Sequence, residues 1–159
     1  MERESLQEPI PHGNALLPLM VHVFETGMRL RKRVVCHWHE ELEFLVVTDG
    51  EADFHIDAQH YRVTTGDVLF VNSNRLHSAL AVENTPFRFF AVVFHSSLLD
   101  NSVNDSVQQK YITPVLNGQV HFPAHLHPQA KWEQTVLACL RQIKEVYEEH
   151  QPAYELTIS

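Results

Sequence analysis

The stretch from His37 to Ser78 reads HWHEELEFLVVTDGEADFHIDAQHYRVTTGDVLFVNSNRLHS and is the most informative part of the sequence about its fold. Apolar and polar residues alternate along it in short runs, and turn-forming residues separate these runs. A period of two is typical of half-buried β-strands, because successive side chains point to opposite faces of the sheet. Histidine and glutamate cluster near the beginning of the stretch, and another histidine stands near its end. The stretch therefore predicts a β-rich unit that carries a polar site.

The same kind of pattern extends on both sides, from about Pro18 to Phe122, without a long helical period. We predict eight strands: Leu17–Glu25, Arg31–His39, Leu42–Thr48, Ala52–Ile56, Tyr61–Val63, Val68–Asn72, His77–Val82 and Phe87–Phe94. Eight short strands suit a closed barrel or a double-sheet jelly roll. Asp49-Gly50 lies between two apolar runs and predicts a type I′ hairpin turn, since that turn needs positive φ angles. The predicted fold class is mainly β.

Four side chains of the stretch form the candidate site: His37, His39, Glu43 and His77. Strand alternation places the first three on one face, so that two imidazoles and a carboxylate point inward together. The fourth would join them from a neighbouring strand. Three nitrogens and one carboxylate oxygen suit a divalent ion such as zinc, nickel, manganese or iron, and the spacing does not choose among these metals.

Two other uses of the four side chains stay open at this point: direct contact with a polar ligand, or a purely structural role. Inward polar groups cost stability unless they pair with one another, a metal, water or a ligand. We therefore predict a small polar ligand inside the barrel. Leu45 and Val47 alternate onto the inward face and are the predicted apolar wall of its pocket, whereas Trp38 and Phe44 face away.

A different pattern begins at Pro128, where apolar residues recur at spacings of three and four. This pattern predicts one amphipathic helix from Pro128 to His150. Its apolar stripe consists of Trp132, Val136, Leu140, Ile143 and Tyr147. Because the stripe is longer than a small barrel needs, we predict that it forms a homodimer contact; packing on its own barrel alone is the alternative. An apolar pattern resumes at Tyr154 and stops at Ser159, which indicates a boundary inside a longer protein.

The formal net charge is −8, which makes the chain by itself a poor partner for DNA phosphates. Its one basic run, Arg29, Arg31, Lys32 and Arg33, is more typical of a solvated hairpin flank. No apolar run approaches the roughly 18 residues needed to cross a bilayer, and the N-terminus lacks a secretory apolar region. We therefore predict a cytoplasmic protein without membrane contact. Cys36 and Cys139 are predicted to be buried and reduced.

The histidines and glutamate at 37, 39 and 43 and the glycine at 50 resemble the first cupin motif, with Arg31 in place of its opening glycine. The second cupin motif is matched at Gly66 and His77. Its proline, second glycine and asparagine are replaced by Asn72, Asn74 and Ala81. These departures cost the turn some rigidity, because proline fixes φ and glycine allows positive φ, although asparagine tolerates the left-handed conformation better than most residues.

Together with GDVLFVNSN at 66–74 and FRFFAVVFHSSLL at 87–99, these motifs resemble the N-terminal domain of AraC-family transcription regulators. The resemblance implies a cupin-type jelly-roll barrel followed by a C-terminal amphipathic helix. It also implies that this domain senses an effector and dimerises. It divides the chain into an N-terminal arm at 1–16, a barrel at 17–125 and a helical dimerisation and linker segment at 126–159, truncated before a helix-turn-helix domain that would bind DNA. Effectors in the family are often sugars, and in some members the arm folds over the effector.

A metal-dependent cupin enzyme, either a dioxygenase or an isomerase, is the alternative, because it would use the same three histidines and glutamate to hold its metal. The weakened second motif and the C-terminal helix favour the regulator, which is not an enzyme. A second HxH, His125-Leu126-His127, has no carboxylate at a matching spacing and is expected to form a loop and a helix start.

Overall fold

A computed structural model describes residues 3–25, 33–82, 86–99, 106–150 and 154–158, so Arg29, Arg31 and Lys32 of the basic run lie outside the described residues. The described strands are β1 (Leu19–Glu25), β2 (Arg33–His37), β3 (Leu42–Ile56), β4 (Gln59–Thr64), β5 (Val68–Val71), β6 (His77–Ala81), β7 (Phe87–Phe94) and β8 (His125–Leu126). The α-helices are α1 (Thr113–Leu116), α2 (Lys131–Glu149) and α3 (Tyr154–Ile158). Short 3₁₀ turns lie at Arg3–Leu6 and Ser96–Leu99, and a π-helical turn at Gln108–Ile112 precedes α1.

The strands form two antiparallel halves that share β3. In the first half the order is β1-β7-β3-β5-β8. In the second half, β4 and β6 flank the later part of β3, and β2 pairs with β6. Side chains from both halves form one interior core, in which Phe54, Phe87 and Leu69 are almost fully buried. The predicted mainly-β barrel with a C-terminal amphipathic helix is confirmed.

Strand β3 continues without interruption through Asp49-Gly50, so the predicted type I′ hairpin is wrong. Gly50 has φ of +81°, but it pairs with Phe87 across the ladder just after a register shift. The chain bends here from one half of the barrel into the other instead of reversing. A Cβ atom at position 50 would lie 1.7 Å from the carbonyl oxygen of Pro86. The bend therefore requires glycine both for its φ angle and for the close approach of Pro86.

Helix α2 begins at Lys131, three residues later than predicted, because Ala130 has an extended conformation with ψ of 150°. The carboxylate of Glu133 accepts hydrogen bonds from the backbone N–H groups of Gln129 and Ala130, at 3.1 and 3.0 Å. These bonds satisfy donors that the first turn of a helix leaves unpaired, and so they fix its start. Neither α2 nor any other described helix is long and apolar enough to cross a membrane.

The apolar stripe of α2 packs on the outer face of the β1-β7-β3-β5-β8 half of its own barrel. This packing includes Val136, Leu140, Ile143 and Tyr147, and Leu140 is only 4% exposed. Trp132 differs from them, because 49% of it is exposed; its ring lies nearly perpendicular to the ring of Phe122, with centroids 6.4 Å apart. Most of the stripe is therefore packed against the barrel of its own chain. The homodimer contact stays a prediction.

The prediction that both cysteines are buried is wrong, since Cys36 and Cys139 are exposed and unpaired. Cys36 lies on β2, which pairs with β6, and its side chain lies toward the solvent. Cys139 precedes the buried Leu140 on α2 and lies toward the solvent. The residue type of a cysteine does not by itself indicate whether its side chain faces the core or the solvent.

Candidate functional site

The structure brings the four predicted site residues together at one end of the barrel. His37 ends β2, His39 follows in the connection to β3, Glu43 lies at the start of β3, and His77 begins β6. His37 and His77 are register partners in the β2–β6 ladder, and their ring centroids are 4.2 Å apart. The centroids of His39 and His77 are 5.0 Å apart. We call these four residues the histidine cluster.

The carboxylate of Glu43 forms the buried base of the histidine cluster. Its Oε2 lies 3.1 Å from Nε2 of His77 and 3.4 Å from Nε2 of His39, and all three residues are buried. Burial raises the pKa of Glu43, but the two imidazoles outweigh burial and hold the pKa well below its usual range. Burial lowers the pKa of His77, and Glu43 more than reverses that effect. The cluster thus contains an ionised carboxylate beside two imidazoles.

The three histidines of the cluster are oriented in the same way, with Nδ1 against a backbone carbonyl oxygen two residues away. The distances are 2.8 Å for His37 and Val35, 3.2 Å for His39 and Glu41, and 3.0 Å for His77 and Arg75. A carbonyl oxygen only accepts hydrogen bonds, so each Nδ1 carries a proton and each Nε2 is left for another partner. Proteins orient metal-binding imidazoles through the same type of contact.

The Nε2 atom of His77 is buried and has no hydrogen-bond partner of suitable geometry among the described residues. This atom lies 3.1 Å from Oε2 of Glu43, and the contact is unfavourable unless a proton or a cation lies between the two atoms. The cluster also offers three imidazole nitrogens, from His37, His39 and His77, within 4.8 Å of one another. The donor set therefore fits a first-row divalent ion.

Leu45 and Val47 lie on the same face of β3 as Glu43, as predicted, and each is 1% exposed. They belong to the apolar core below the histidine cluster. Phe44 lies on the opposite face and packs against Phe70 on the outside of the barrel. Apolar side chains occupy the interior below the cluster, so the cluster lies toward the mouth of the barrel rather than at its centre.

The N-terminal arm packs against this mouth from Arg3 onward. Gln7 forms a parallel bridge with Trp38, whose backbone N–H donates to the carbonyl of Leu6 at 3.0 Å. The indole N–H of Trp38 donates to the carbonyl of Arg3 at 2.8 Å. Trp38 points away from the histidines, as predicted, and holds the arm in place.

The arm adds two polar side chains that the sequence analysis missed, Glu8 and His12. Oε2 of Glu8 lies 3.1 Å from Nε2 of His12 and 3.4 Å from Nε2 of His37. The hydrogen bond with His12 lowers the pKa of Glu8 by more than burial raises it. His12 is 6% exposed, and its Nδ1 lies 2.9 Å from Nε2 of His22. The four-residue spacing of Glu8 and His12 is the only sequence signal that the two side chains pair. No sequence pattern indicates that this pair lies beside the histidine cluster.

An open recess of about 540 Å³ lies between the arm and the residues from His39 to Glu41, so that His39 is the member of the cluster that lines it. Its lining consists of Glu4, Gln7, Glu8, Pro9, Ile10, Pro11, His39, Glu40 and Glu41. Four of these side chains are carboxylates, so the recess is acidic. An acidic recess favours a neutral or cationic ligand over an anionic one.

The expectation for the second HxH requires correction. His125 lies on the short strand β8 rather than in a loop. The carboxylate of Asp67, in the turn between β4 and β5, lies beside both His125 and His127. The spacing around the second HxH does not reveal this carboxylate because Asp67 comes from a distant part of the chain.

Residues 31–159 match the family model of the AraC-like ligand binding domain. The chain belongs to this family. The resemblance seen in the sequence is thereby confirmed. All four residues of the histidine cluster lie within the matched part of this AraC-like domain.

Other proteins resemble the AraC-like domain over different lengths. The uncharacterized HTH-type transcriptional regulator YdeC of Bacillus subtilis (strain 168) is 22% identical over 156 residues. That match covers 98% of this chain and 53% of the relative, so the chain spans about half the relative's length. A cupin protein from Bacteroides fragilis is 19% identical, with 56% of this chain and 75% of that chain covered and a TM-score of 0.48. A predicted oxalate decarboxylase from Thermotoga maritima is 28% identical, with 48% and 65% covered and a TM-score of 0.43.

Proposed function

We propose that this AraC-like domain binds a small polar effector at the mouth of its barrel, against the histidine cluster and beneath the N-terminal arm. The observation that carries the proposal is the common orientation of three imidazoles, whose Nε2 atoms are left for a partner beside the buried Glu43. The apolar core occupies the space below the cluster. The recess beside His39 is therefore the place for the effector.

A divalent metal ion fits the cluster, with His37, His39 and His77 as nitrogen ligands and Glu43 as an oxygen ligand. A bound ion would supply a Lewis acid that attracts an oxygen atom of the effector. The backbone carbonyls of Val35, Glu41 and Arg75 keep the imidazole rings in place whether or not an ion is bound.

The effector is a neutral polyhydroxylated molecule of the sugar class. Four carboxylates line the recess and oppose an anionic effector, whereas hydroxyl groups can donate both to carboxylates and to the Nε2 atom of an imidazole. Pro9, Ile10 and Pro11 line the same recess and offer an apolar surface for the carbon side of a sugar.

The test is a thermal-shift screen of neutral sugars and small organic acids on the parent, on Glu43→Gln and on His39→Ala. A true effector present at 100 times its Kd should stabilise the parent by about 2.7 kcal/mol through linkage and lose that effect in both variants. The exposed His55, replaced by alanine, is the matched control and should keep the full effect. A ligand that keeps its full effect in both cluster variants would place the effector site elsewhere.

The same cluster favours a second candidate function, a metal-dependent cupin enzyme that acts as a dioxygenase or an isomerase. The two functions differ in the fate of the ligand. A stabilising ligand should be recovered unchanged after prolonged incubation with metal-loaded protein in air if the domain is a sensor. Conversion that requires Glu43 would establish the enzyme.

We also propose that the domain forms a homodimer through α2, with the exposed Trp132 in the contact. Trp132→Glu should shift the association equilibrium toward monomer by about tenfold or more, because tryptophan is a frequent energetic centre of interfaces. Sedimentation velocity over a concentration series measures this shift. Leu140→Glu is unsuitable, since Leu140 is buried against its own barrel and the variant would test folding. A parent that is monomeric at all concentrations would contradict the proposal.

The whole protein is a transcription regulator that binds DNA through residues outside 1–159. The HTH-type relative of about twice this length and the charge of −8 support this proposal. Residues 1–159 should therefore show no salt-sensitive retention of random duplex DNA in a gel-shift experiment at low salt. Retention that disappears with added salt would place a DNA-binding surface in this domain.

A further inference from the structure

A second cluster of potential metal ligands lies at the other end of β5 from the histidine cluster. Asp67 immediately precedes β5, whereas Val71 at its far end is the register partner of Glu43. His125 lies on β8 as the register partner of Leu69, and His127 follows two residues later, before α2. No residue of the histidine cluster takes part.

The imidazoles of His125 and His127 converge on the two carboxylate oxygens of Asp67. Nδ1 of His127 lies 2.7 Å from Oδ1, and Nε2 of His125 lies 3.2 Å from Oδ2. The two imidazole centroids are 4.0 Å apart, and one ligand atom from each residue lies within 4.8 Å of the others. Two imidazole nitrogens and one carboxylate oxygen are thus already gathered around a common point.

Asp67 is held in position by its own turn. It is 5% exposed, and its Oδ2 accepts hydrogen bonds from the backbone N–H of Thr64 at 2.8 Å and from the Thr64 hydroxyl at 3.3 Å. A carboxylate anchored in this way is oriented before any ligand arrives, as in many protein metal sites.

The hydrogen bonds around Asp67 leave one ring nitrogen of His125 without a partner. Its Nε2 is buried and has no hydrogen-bond partner of suitable geometry among the described residues, although it lies close to Asp67. A buried polar nitrogen without a partner is costly, and a cation held jointly with the carboxylate would remove that cost. The side chain of His127 is 61% exposed, which leaves a route for an ion and a position for water.

We propose that Asp67, His125 and His127 form a second divalent-metal site of the zinc class. Two imidazoles and one carboxylate, with a remaining position for water, are a ligand set that zinc uses in proteins. The site joins the β4–β5 turn to β8 and to the residues just before α2. A bound ion therefore ties the start of the helical segment to the barrel.

The experiment measures binding of Zn²⁺ alone, by equilibrium dialysis and elemental analysis, on protein purified without a histidine tag. His39→Ala with His77→Ala first disables the histidine cluster, so that the result does not depend on the proposed effector site. This background should bind one equivalent of Zn²⁺. Adding His127→Ala, at an exposed position, should weaken that binding by about 100-fold, and Asp67→Asn should do the same. His121→Ala, a nearby exposed histidine outside the cluster, should change nothing.

Zinc binding that is absent from the background protein, or that is unchanged by His127→Ala and Asp67→Asn, would overturn the proposal. Circular dichroism of each variant confirms that the barrel is intact. If the background protein does not fold, the parent and its His127→Ala variant are compared directly, and a difference of one equivalent is expected. An equal zinc content in that pair would likewise overturn the proposal.

Discussion

Gly50→Ala should lower the free energy of unfolding by about 2–5 kcal/mol, the sum of a left-handed backbone penalty and an overpacking penalty. The added Cβ would lie 1.7 Å from the carbonyl oxygen of Pro86, so the backbone of one or both strands must move. Gly50 is also where β3 passes from one half of the barrel to the other. Urea denaturation followed by circular dichroism measures the loss.

Gly66→Ala is the matched control for Gly50→Ala. Gly66 has φ of +97°, but a Cβ atom there would have no neighbour within 4 Å. The control should therefore carry only the backbone penalty, about 1–2 kcal/mol. Equal losses in the two variants would show that the approach of Pro86 to Gly50 is unimportant and would contradict our account of the bend.

His37→Ala combined with His77→Ala should reduce the metal content of the protein by one equivalent and weaken binding at the histidine cluster by about 100-fold or more. Loss of a residue that merely supports a metal ligand already costs about 10- to 100-fold, so loss of two ligands should cost at least as much. Dialysis against zinc or manganese, followed by elemental analysis of untagged protein, measures the change.

Two controls accompany this variant. His55→Ala with His60→Ala removes two histidines outside the cluster and should leave the metal content unchanged. His77→Gln keeps a polar group beside Glu43, so it separates loss of the metal ligand from loss of the fold. A metal content that is equal in the parent and in the folded double variant would exclude the histidine cluster as a metal site.

The histidine cluster was predictable because local geometry determines most of it. Strand alternation directs Glu43 inward together with Leu45 and Val47, and the motif spacing adds His77 from a neighbouring strand. Asn74, which stands where the motif has glycine, takes the left-handed conformation with φ of 60°. Its backbone N–H donates to the carbonyl of His39 at 2.9 Å, so the turn beside the cluster is retained despite the substitution.

The features that sequence analysis missed all depend on contacts between distant residues. A glycine with positive φ suits a hairpin and a bend equally well, and only pairing with Phe87 decides that Gly50 forms a bend. Glu8 reaches His37 only because Trp38 holds the arm. Likewise, Asp67 meets His125 because β5 pairs with β8. No local pattern contains this information.

The most direct test of the central claim is a crystal structure of the protein with the effector identified by the thermal-shift screen. We expect electron density for the ligand in the recess beside His39, with ligand oxygens within about 3.2 Å of cluster side chains or bound to an ion that they hold. An apolar groove of about 290 Å³, lined among others by Leu19, Val92 and Leu140, lies between α2 and the outer face of the barrel. Ligand density in this groove, with an empty recess, would contradict the proposed effector site.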